Sequence, residues 1–186
     1  MKIIANNINT GNILEYKGKL WRVSKLSHTQ PGKGGAFIQA EMKDIINGTK
    51  LNERFRSSEN VERVVLEEKA MQYLFSDGDN YTFMDMTNYE QIEINEETIG
   101  EQKVWLTESM EVKVSFHEEK PLSIELPKHV IMTIVEAEAA IKGQTVTSSY
   151  KTSKVENGQT VMVPQFIETG EKIVISTIDG TYVERA

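Results

Sequence analysis

Met110-Glu111-Val112-Lys113-Val114-Ser115-Phe116-His117 alternates without a fault. Met110, Val112, Val114 and Phe116 fall on one side of an extended chain, and Glu111, Lys113, Ser115 and His117 fall on the other. A period of two buries one face of a strand and wets the other. Leu122, Ile124 and Leu126 repeat the pattern, as do Val130, Met132 and Ile134. Turn dipeptides punctuate the chain at Lys17-Gly18, Asn47-Gly48, Asp77-Gly78, Asn157-Gly158 and Asp179-Gly180. Asn-Gly and Asp-Gly tolerate the positive φ of tight hairpins, so at least some of these are predicted hairpins. Many short strands with frequent turns read as barrels or sandwiches, and the fold class is all-β. Helix is expected only in short pieces. Asn95 can cap a turn opening at Glu96-Glu97, with acid near the positive end of the helix dipole, and Ser58 or Asn60 can begin another.

Working outward, the 186 residues allow one large domain or two to three small ones. Apolar residues are 39%, charged residues 26% and prolines only 4, a composition able to build a core and unlike that of a disordered chain. Zero Cys removes disulfides, thiolate zinc sites, iron–sulfur clusters and thiol nucleophiles together, and suits a reducing compartment. The N-terminal apolar run is short and interrupted by Asn6-Asn7, and no window approaches the roughly 20 apolar residues of a membrane span. The expectation is a soluble cytoplasmic protein with no membrane partner.

The formal charge of −7 conceals an asymmetry. Residues 1–64 hold 11 Lys and Arg against 6 Asp and Glu, a net +5. Residues 65–127 hold 4 against 15, a net −11, and residues 128–186 hold 6 against 7, a net −1. Such a division suits a first module that faces a polyanion and a middle one that avoids it. Boundaries near 61–65 and at Pro127-Lys128 give three modules, 1–64, 65–127 and 128–186. Modules of about 60 residues are marginal alone, and closing each sheet into a barrel removes exposed edges.

Catalytic groups are scarce. His28, His117 and His129 lie far apart in no ligand spacing, and read as solvated or structural. Glu67-Glu68, Glu96-Glu97 and Glu118-Glu119, if extended, point to opposite faces and make poor carboxylate pairs. Ser57-Ser58 and Ser148-Ser149 lack a G-x-S-x-G setting. Neither an enzyme, a metal site nor a cofactor is expected. Trp21 and Trp105 could stack on bases, but read as core.

One segment stands apart: Ser27-His28-Thr29-Gln30-Pro31-Gly32-Lys33-Gly34-Gly35-Ala36-Phe37. Pro31 presets φ for the first corner of a turn, and Gly32 is expected to take the positive φ of a type II turn at the second. Gly34 and Gly35 let the chain return without side chains. A thin loop is predicted, with Lys33 at its tip, on a long hairpin between strands at 20–26 and 36–42. It is no P-loop, because Gly34 holds the Ser/Thr position and a strand follows where a helix is needed. Stripping the neighbours from a Lys makes sense if its amine must enter a narrow place or be modified by another enzyme.

These residues resemble the bacterial elongation factor P family. The resemblance rests on Pro31-Gly32-Lys33-Gly34-Gly35-Ala36-Phe37, Ala40-Glu41-Met42-Lys43 and Arg54-Phe55-Arg56-Ser57. Val163-Pro164-Gln165-Phe166-Ile167, Gly170-Glu171-Lys172-Ile173 and the ending Asp179-Gly180-Thr181-Tyr182-Val183-Glu184-Arg185 carry it to the C-terminus. It implies an SH3-like (KOW-type) barrel followed by two OB-folds, in an L shape similar to tRNA. It implies a monomer that binds both ribosomal subunits between the peptidyl-tRNA and exit sites and relieves stalling at consecutive prolines. Lys33 would reach the peptidyl-transferase centre beside peptidyl-tRNA, and a lysine-modifying enzyme would extend it in many members. Tyr182 and Arg185 match an aromatic–basic pair used near the small subunit. The segment Gly143-Gln144-Thr145-Val146-Thr147-Ser148 aligns with a loop thought to approach the exit-site codon, with contacts at Gly143 and Thr145, although Gln144 replaces an acid and Ser148 a common Gly. The rival reading is a general OB-fold oligonucleotide-binding protein, which would need exposed aromatics along a basic groove.

Overall fold

The computed structural model describes residues 1–139 and 149–186. Among them the strands form three sheets that follow one another along the chain. The first contains β1 (Lys2–Ile4), β2 (Ile13–Tyr16), β3 (Lys19–Thr29), β4 (Phe37–Asp44), β5 (Lys50–Arg56) and β6 (Asn60–Val64), in the order β1-β6-β2-β3-β4-β5. The second contains β7 (Glu67–Asp77), β8 (Asn80–Asp85), β9 (Gln91–Asn95), β10 (Glu111–His117) and β11 (Lys120–Glu125), in the order β11-β10-β7-β8-β9. The third contains β12 (His129–Ala137), β13 (Tyr150–Val155), β14 (Thr160–Pro164), β15 (Lys172–Ser176) and β16 (Tyr182–Arg185), in the order β14-β13-β12-β15-β16. The chain divides into two compact units, residues 1–69 with 114–123 and residues 70–113 with 124–186. No helix among the described residues is long and apolar enough to cross a membrane.

Alternation governs what is buried. Val112, Val114 and Phe116 of β10 are 3%, 0% and 6% exposed, and the same period buries Val130, Met132 and Ile134 of β12. In the first sheet Trp21 and Val23 meet Ile38, Ala40, Met42 and Phe55 in one apolar cluster. Trp21 directs its indole N–H to the Tyr16 carbonyl at 2.9 Å, so its one polar atom is satisfied inside. Trp105 is buried as well, and neither tryptophan is free to stack on a base.

Four of the five turn dipeptides lie between consecutive paired strands; Asp77 ends β7 opposite Asn80, so the fifth connection is Gly78-Asp79. The β10–β11 hairpin was not legible. Glu118 and Glu119 form the two-residue connection from β10 to β11, with φ of +49° and +66°, in place of the Asn and Gly that such a turn favours. They are therefore a turn and not the opposite faces of a strand. Glu96 and Glu97 open a four-residue helix, Glu96–Ile99, and the Asn95 side chain accepts the Glu97 N–H at 3.0 Å, the expected cap. Ser57 and Ser58 form a turn, but the chain continues into β6 and no helix follows. The edge strand β1 recruits that segment, pairing Ile4 with Asn60 and Lys2 with Glu62. Short 3₁₀ pieces at Ala5–Asn7 and Gly100–Trp105 carry no periodic signal.

Candidate functional site

The β3–β4 hairpin carries the Lys33 tip. Its last pair is Thr29 with Phe37, and Phe37 pairs in turn with Arg56 of β5, so three strands run together to the base of the tip. The Ala36 carbonyl accepts the Ser57 N–H at 3.0 Å, and the Arg54 guanidinium lies 4.0 Å over the Phe37 ring. The base is thus held on one side by a ladder and a cation–π contact. Beyond it, residues 30–35 make no backbone hydrogen bond with one another among the described residues. Lys33 is exposed and makes no ion pair or hydrogen bond among the described residues, while Pro31 is half-buried.

The type II turn expected at Pro31-Gly32 does not form. The positive φ falls on Gly34, at +116°, and Gly32 lies outside that region. Seven residues separate Thr29 from Phe37, so nothing forces the chain to reverse directly after Pro31. A Cβ on Gly32 or Gly35 would meet nothing within 4 Å, and one on Gly34 only the Pro31 ring at 3.9 Å. The free protein therefore demands glycine at 34 for its backbone and makes no packing demand at 32 or 35.

Leading to the tip is a face that sequence reading did not resolve. Residues directly opposite one another in an antiparallel ladder share a face. The register sets Arg22, Lys43 and Lys50 in one row, then Lys25, Glu41 and Asn52, then Ser27, Gln39 and Arg54, then Thr29, Phe37 and Arg56. Six exposed cations thus stand with one acid, Glu41, on the face away from the core. A bulge at Ser24 is the cause. The pairing shifts between Val23 and Lys25, so Arg22 and Lys25, three apart, share a face that strict alternation would deny them. The charge count over residues 1–64 was the available signal; the register that gathers it was not. The other acids of β3, β4 and β5, Asp44 and Glu53, point to the opposite face. Glu53 pairs with Lys17 at 3.5 Å, and Asp44 is 4% exposed with the Lys19 amine at 3.4 Å. Burial alone would push the Asp44 carboxyl up, but hydrogen bonds from the Ile46 and Asn47 N–H groups, with Lys19, hold it below the ordinary aspartate value.

The other expected residues are scattered. Tyr182 is half-buried opposite Ile175, and Arg185 lies opposite Ile173. The ring beneath the Arg185 guanidinium is that of Phe166, at 4.9 Å and 58% exposed, and Arg185 also meets Glu171 at 2.9 Å. Gly143 and Thr145, with Gln144 and Ser148, lie outside the described residues. His28 and His129 are exposed, and His117 is half-buried. Among the described residues no group of three or more His, Asp or Glu side chains could hold a metal ion.

Comparison with known proteins agrees along the whole chain. Residues 4–61 match the family model described as the elongation factor P KOW-like domain, residues 66–124 the elongation factor P OB domain, and residues 130–185 the elongation factor P C-terminal model. The chain is 52% identical over 186 residues to a protein of Acidithiobacillus ferrooxidans named elongation factor P, covering 100% of both. It is 54% identical over 187 residues to the protein of that name from Rickettsia bellii, again covering 100% of each. Among solved structures it resembles a eukaryotic translation initiation factor 5A from Methanococcus jannaschii, with a TM-score of 0.56 and 22% identity, over 68% of this chain and 92% of that one. That last likeness bears on the fold alone.

Proposed function

The chain belongs to the elongation factor P family of translation factors, and from that premise we propose that it binds the ribosome between the peptidyl-tRNA and exit sites and promotes peptide-bond formation at stalled consecutive prolines. It does so by steadying peptidyl-tRNA through Lys33, without a catalytic group of its own. The observation that carries this reading is the six-cation face of β3, β4 and β5 that ends on a glycine-flanked, exposed lysine. Cations on such a face displace counterions condensed on RNA, which supplies affinity without sequence preference. The narrow tip then carries one amine beyond the ladder. Fixing that lysine costs up to about 2 kcal/mol of rotamer entropy, and its glycine neighbours add backbone cost, so the tip orders only when bound. Proline is a constrained nucleophile in peptide transfer. Alignment effects reach about 7–11 kcal/mol at their extreme, so a fraction suffices to restore the rate.

Three modules, 1–64, 65–127 and 128–186, divide the work in this proposal. The first meets the acceptor end of peptidyl-tRNA, and the acidic middle one stays clear of RNA. Tyr182 and Arg185 of the last face the small subunit, with Gly143 and Thr145 on the codon side. A lysine-modifying enzyme extends Lys33. Lys33→Ala is expected to leave the melting temperature unchanged while abolishing rescue of proline-rich translation in a reconstituted system. Full rescue by that variant at equal concentration refutes the role of the tip. Intact-mass measurement of protein from its native host checks for a discrete adduct at Lys33.

A further inference from the structure

The two limbs of the prong that carries Lys33 are fastened to the first sheet unequally. β2 pairs with β3 only as far as Arg22. The last bonds on that edge belong to Val23, whose N–H reaches the Asn12 carbonyl at 2.9 Å and whose carbonyl accepts the Gly11 N–H at 2.8 Å. From Ser24 to Thr29 the outgoing strand has β4 as its one neighbour among the described residues. A strand held along one edge opens with few bonds lost.

The return limb is held on both sides. Phe37 pairs with Thr29 and with Arg56, and one residue nearer the tip the Ala36 carbonyl accepts the Ser57 N–H. The segment that receives it is itself anchored. The Ser57 carbonyl accepts the Asn6 N–H at 3.1 Å, and the Glu59 carbonyl accepts the Ala5 N–H at 2.7 Å. The Glu59 carboxylate accepts the Arg56 N–H at 3.1 Å, and Ala5 is buried in the apolar cluster. A path of contacts thus runs from the core to Ala36 and stops there.

Arg54 adds to that path from the outward face. It lies diagonal to Phe37 in the register, within reach of a long side chain. Its guanidinium stands 4.0 Å over the Phe37 ring, the closest of the cation–ring contacts among the described residues. A guanidinium stacked on a ring keeps its N–H edge free, a geometry that an ammonium cannot reproduce. The acids that flank Arg54 do not draw it away, because Glu41 meets Lys50 at 4.0 Å and Glu53 meets Lys17 at 3.5 Å. Phe37 is the only aromatic residue in the paired rows of that face, and it stands at the foot of the tip. We propose that Arg54, acting through Phe37, is a positioning residue that fixes the line along which Lys33 leaves the sheet. The outgoing limb follows, because it is paired to nothing but the return limb. That this line governs peptide transfer rests on the function proposed above; that the Arg54–Phe37 contact sets it does not.

The test uses the full chain. Arg54→Lys keeps the charge and removes the planar stack, so ribosome affinity and its salt dependence are expected to hold within about twofold. The maximal rate of rescue at saturating factor should fall about two- to fivefold, the range of an exposed cation–π contact. Phe37→Leu should lower that rate at least as much, and adding Arg54→Lys to it should cost nothing more. The chain has no Cys, so a nitroxide can be placed at one chosen position. Attached through Gly35→Cys, where a Cβ meets nothing within 4 Å, it should move more slowly than through Gln30→Cys on the outgoing limb. Arg54→Lys should abolish that difference. An unchanged maximal rate with Arg54→Lys, a loss of affinity with the rate intact, or equal nitroxide mobility in the parent and the variant overturns the positioning role. If the unaltered protein rescued nothing, the function proposed above would fail. The nitroxide comparison, which needs no ribosome, would still decide the role of Arg54.

Discussion

The β3–β4–β5 and β7–β8–β9 meanders begin alike and end differently. Each opens on an 11-residue strand broken by one bulge, Ser24 in the first and Leu74 in the second, and each continues through the next two strands, every strand pairing with the one after it. The connections differ. Thr29 and Phe37 are joined by seven residues rich in glycine, Asp77 and Asn80 by two. The faces differ too, with six cations along the first and no Lys or Arg anywhere in residues 70–102 of the second. Apolar alternation and a bulge suffice to build the meander. What it does is then set by the outward residues and by the length of one turn, neither of which the core constrains.

The largest effect is expected from erasing the difference in turn length. Replacing residues 30–36 with Asn-Gly converts the prong into a tight hairpin like the one at Gly78-Asp79. None of residues 30–36 belongs to the apolar cluster of the first sheet, so the melting temperature should hold or rise, since a shorter loop costs less entropy to close. Rescue of proline-rich translation should vanish. A shortened protein that still rescued would show that the tip is incidental and that the cationic face acts alone.

How far the sequence could lead follows the same division. Strands with one wet face were legible from period two, and Asn95 and the five turn dipeptides from their special backbone chemistry. Lys33 was legible because glycine and proline around a lone cation are chemically odd. The bulge at Ser24 was not, since inserting one residue changes register without changing composition. With it went the cationic face. Glu118-Glu119 and Tyr89 were missed for the opposite reason: turn chemistry was read from Gly, Asn and Asp, and these residues occupy left-handed positions against their preference. Phe166 lay in view, but only the fold sets it under Arg185.

The buried aspartates sharpen the comparison next. Asp44 and Asp85 close equivalent turns, each accepting an N–H two residues ahead, Ile46 at 2.8 Å and Thr87 at 2.7 Å. Only Asp44 adds a lysine, Lys19, among the described residues. Asp44→Ala leaves buried donors unmet and is expected to cost about 2–3 kcal/mol in denaturant unfolding, against about 1–2 kcal/mol for Asp85→Ala. Because the Asp44 carboxyl titrates below its ordinary value when folded, its contribution is complete above the ordinary aspartate range and is lost as pH falls through the lowered value. Acid titration of Asp44→Asn should accordingly show a shallower loss of stability than that of the parent protein. A parallel loss in both would mean that Lys19 and the turn donors do not act on this carboxyl.

Smaller effects are expected on the cationic face. Neutralising Arg54 and Arg56 to Gln removes two of the six charges beside the tip. If both meet phosphates, the salt dependence of ribosome binding should flatten by about 0.7–0.9 in logarithmic slope for each phosphate left unneutralised. Neutralising Asp77 and Glu93 on the second meander should leave that slope unchanged. Equal changes from the two pairs would reduce the comparison to net charge.

The smallest and most discriminating difference lies between two glycines in the same turn position. Gly48 and Gly180 have φ of +74° and +70°, so alanine pays the same backbone penalty at either, about 1 kcal/mol. Their surroundings differ. A Cβ at position 48 would meet only the flexible Lys43 chain at 3.8 Å, whereas at position 180 it would lie 3.0 Å from the ring of Trp105. Trp105 is 7% exposed and cannot retreat freely. Gly180→Ala should therefore exceed Gly48→Ala by about 1–2 kcal/mol, the usual range for overpacking against a fixed ring. Trp105→Leu in the Gly180→Ala background should recover most of that excess. If Gly180→Ala cost no more than Gly48→Ala, the ring would not be seated against the turn, and backbone strain alone would account for glycine at both positions.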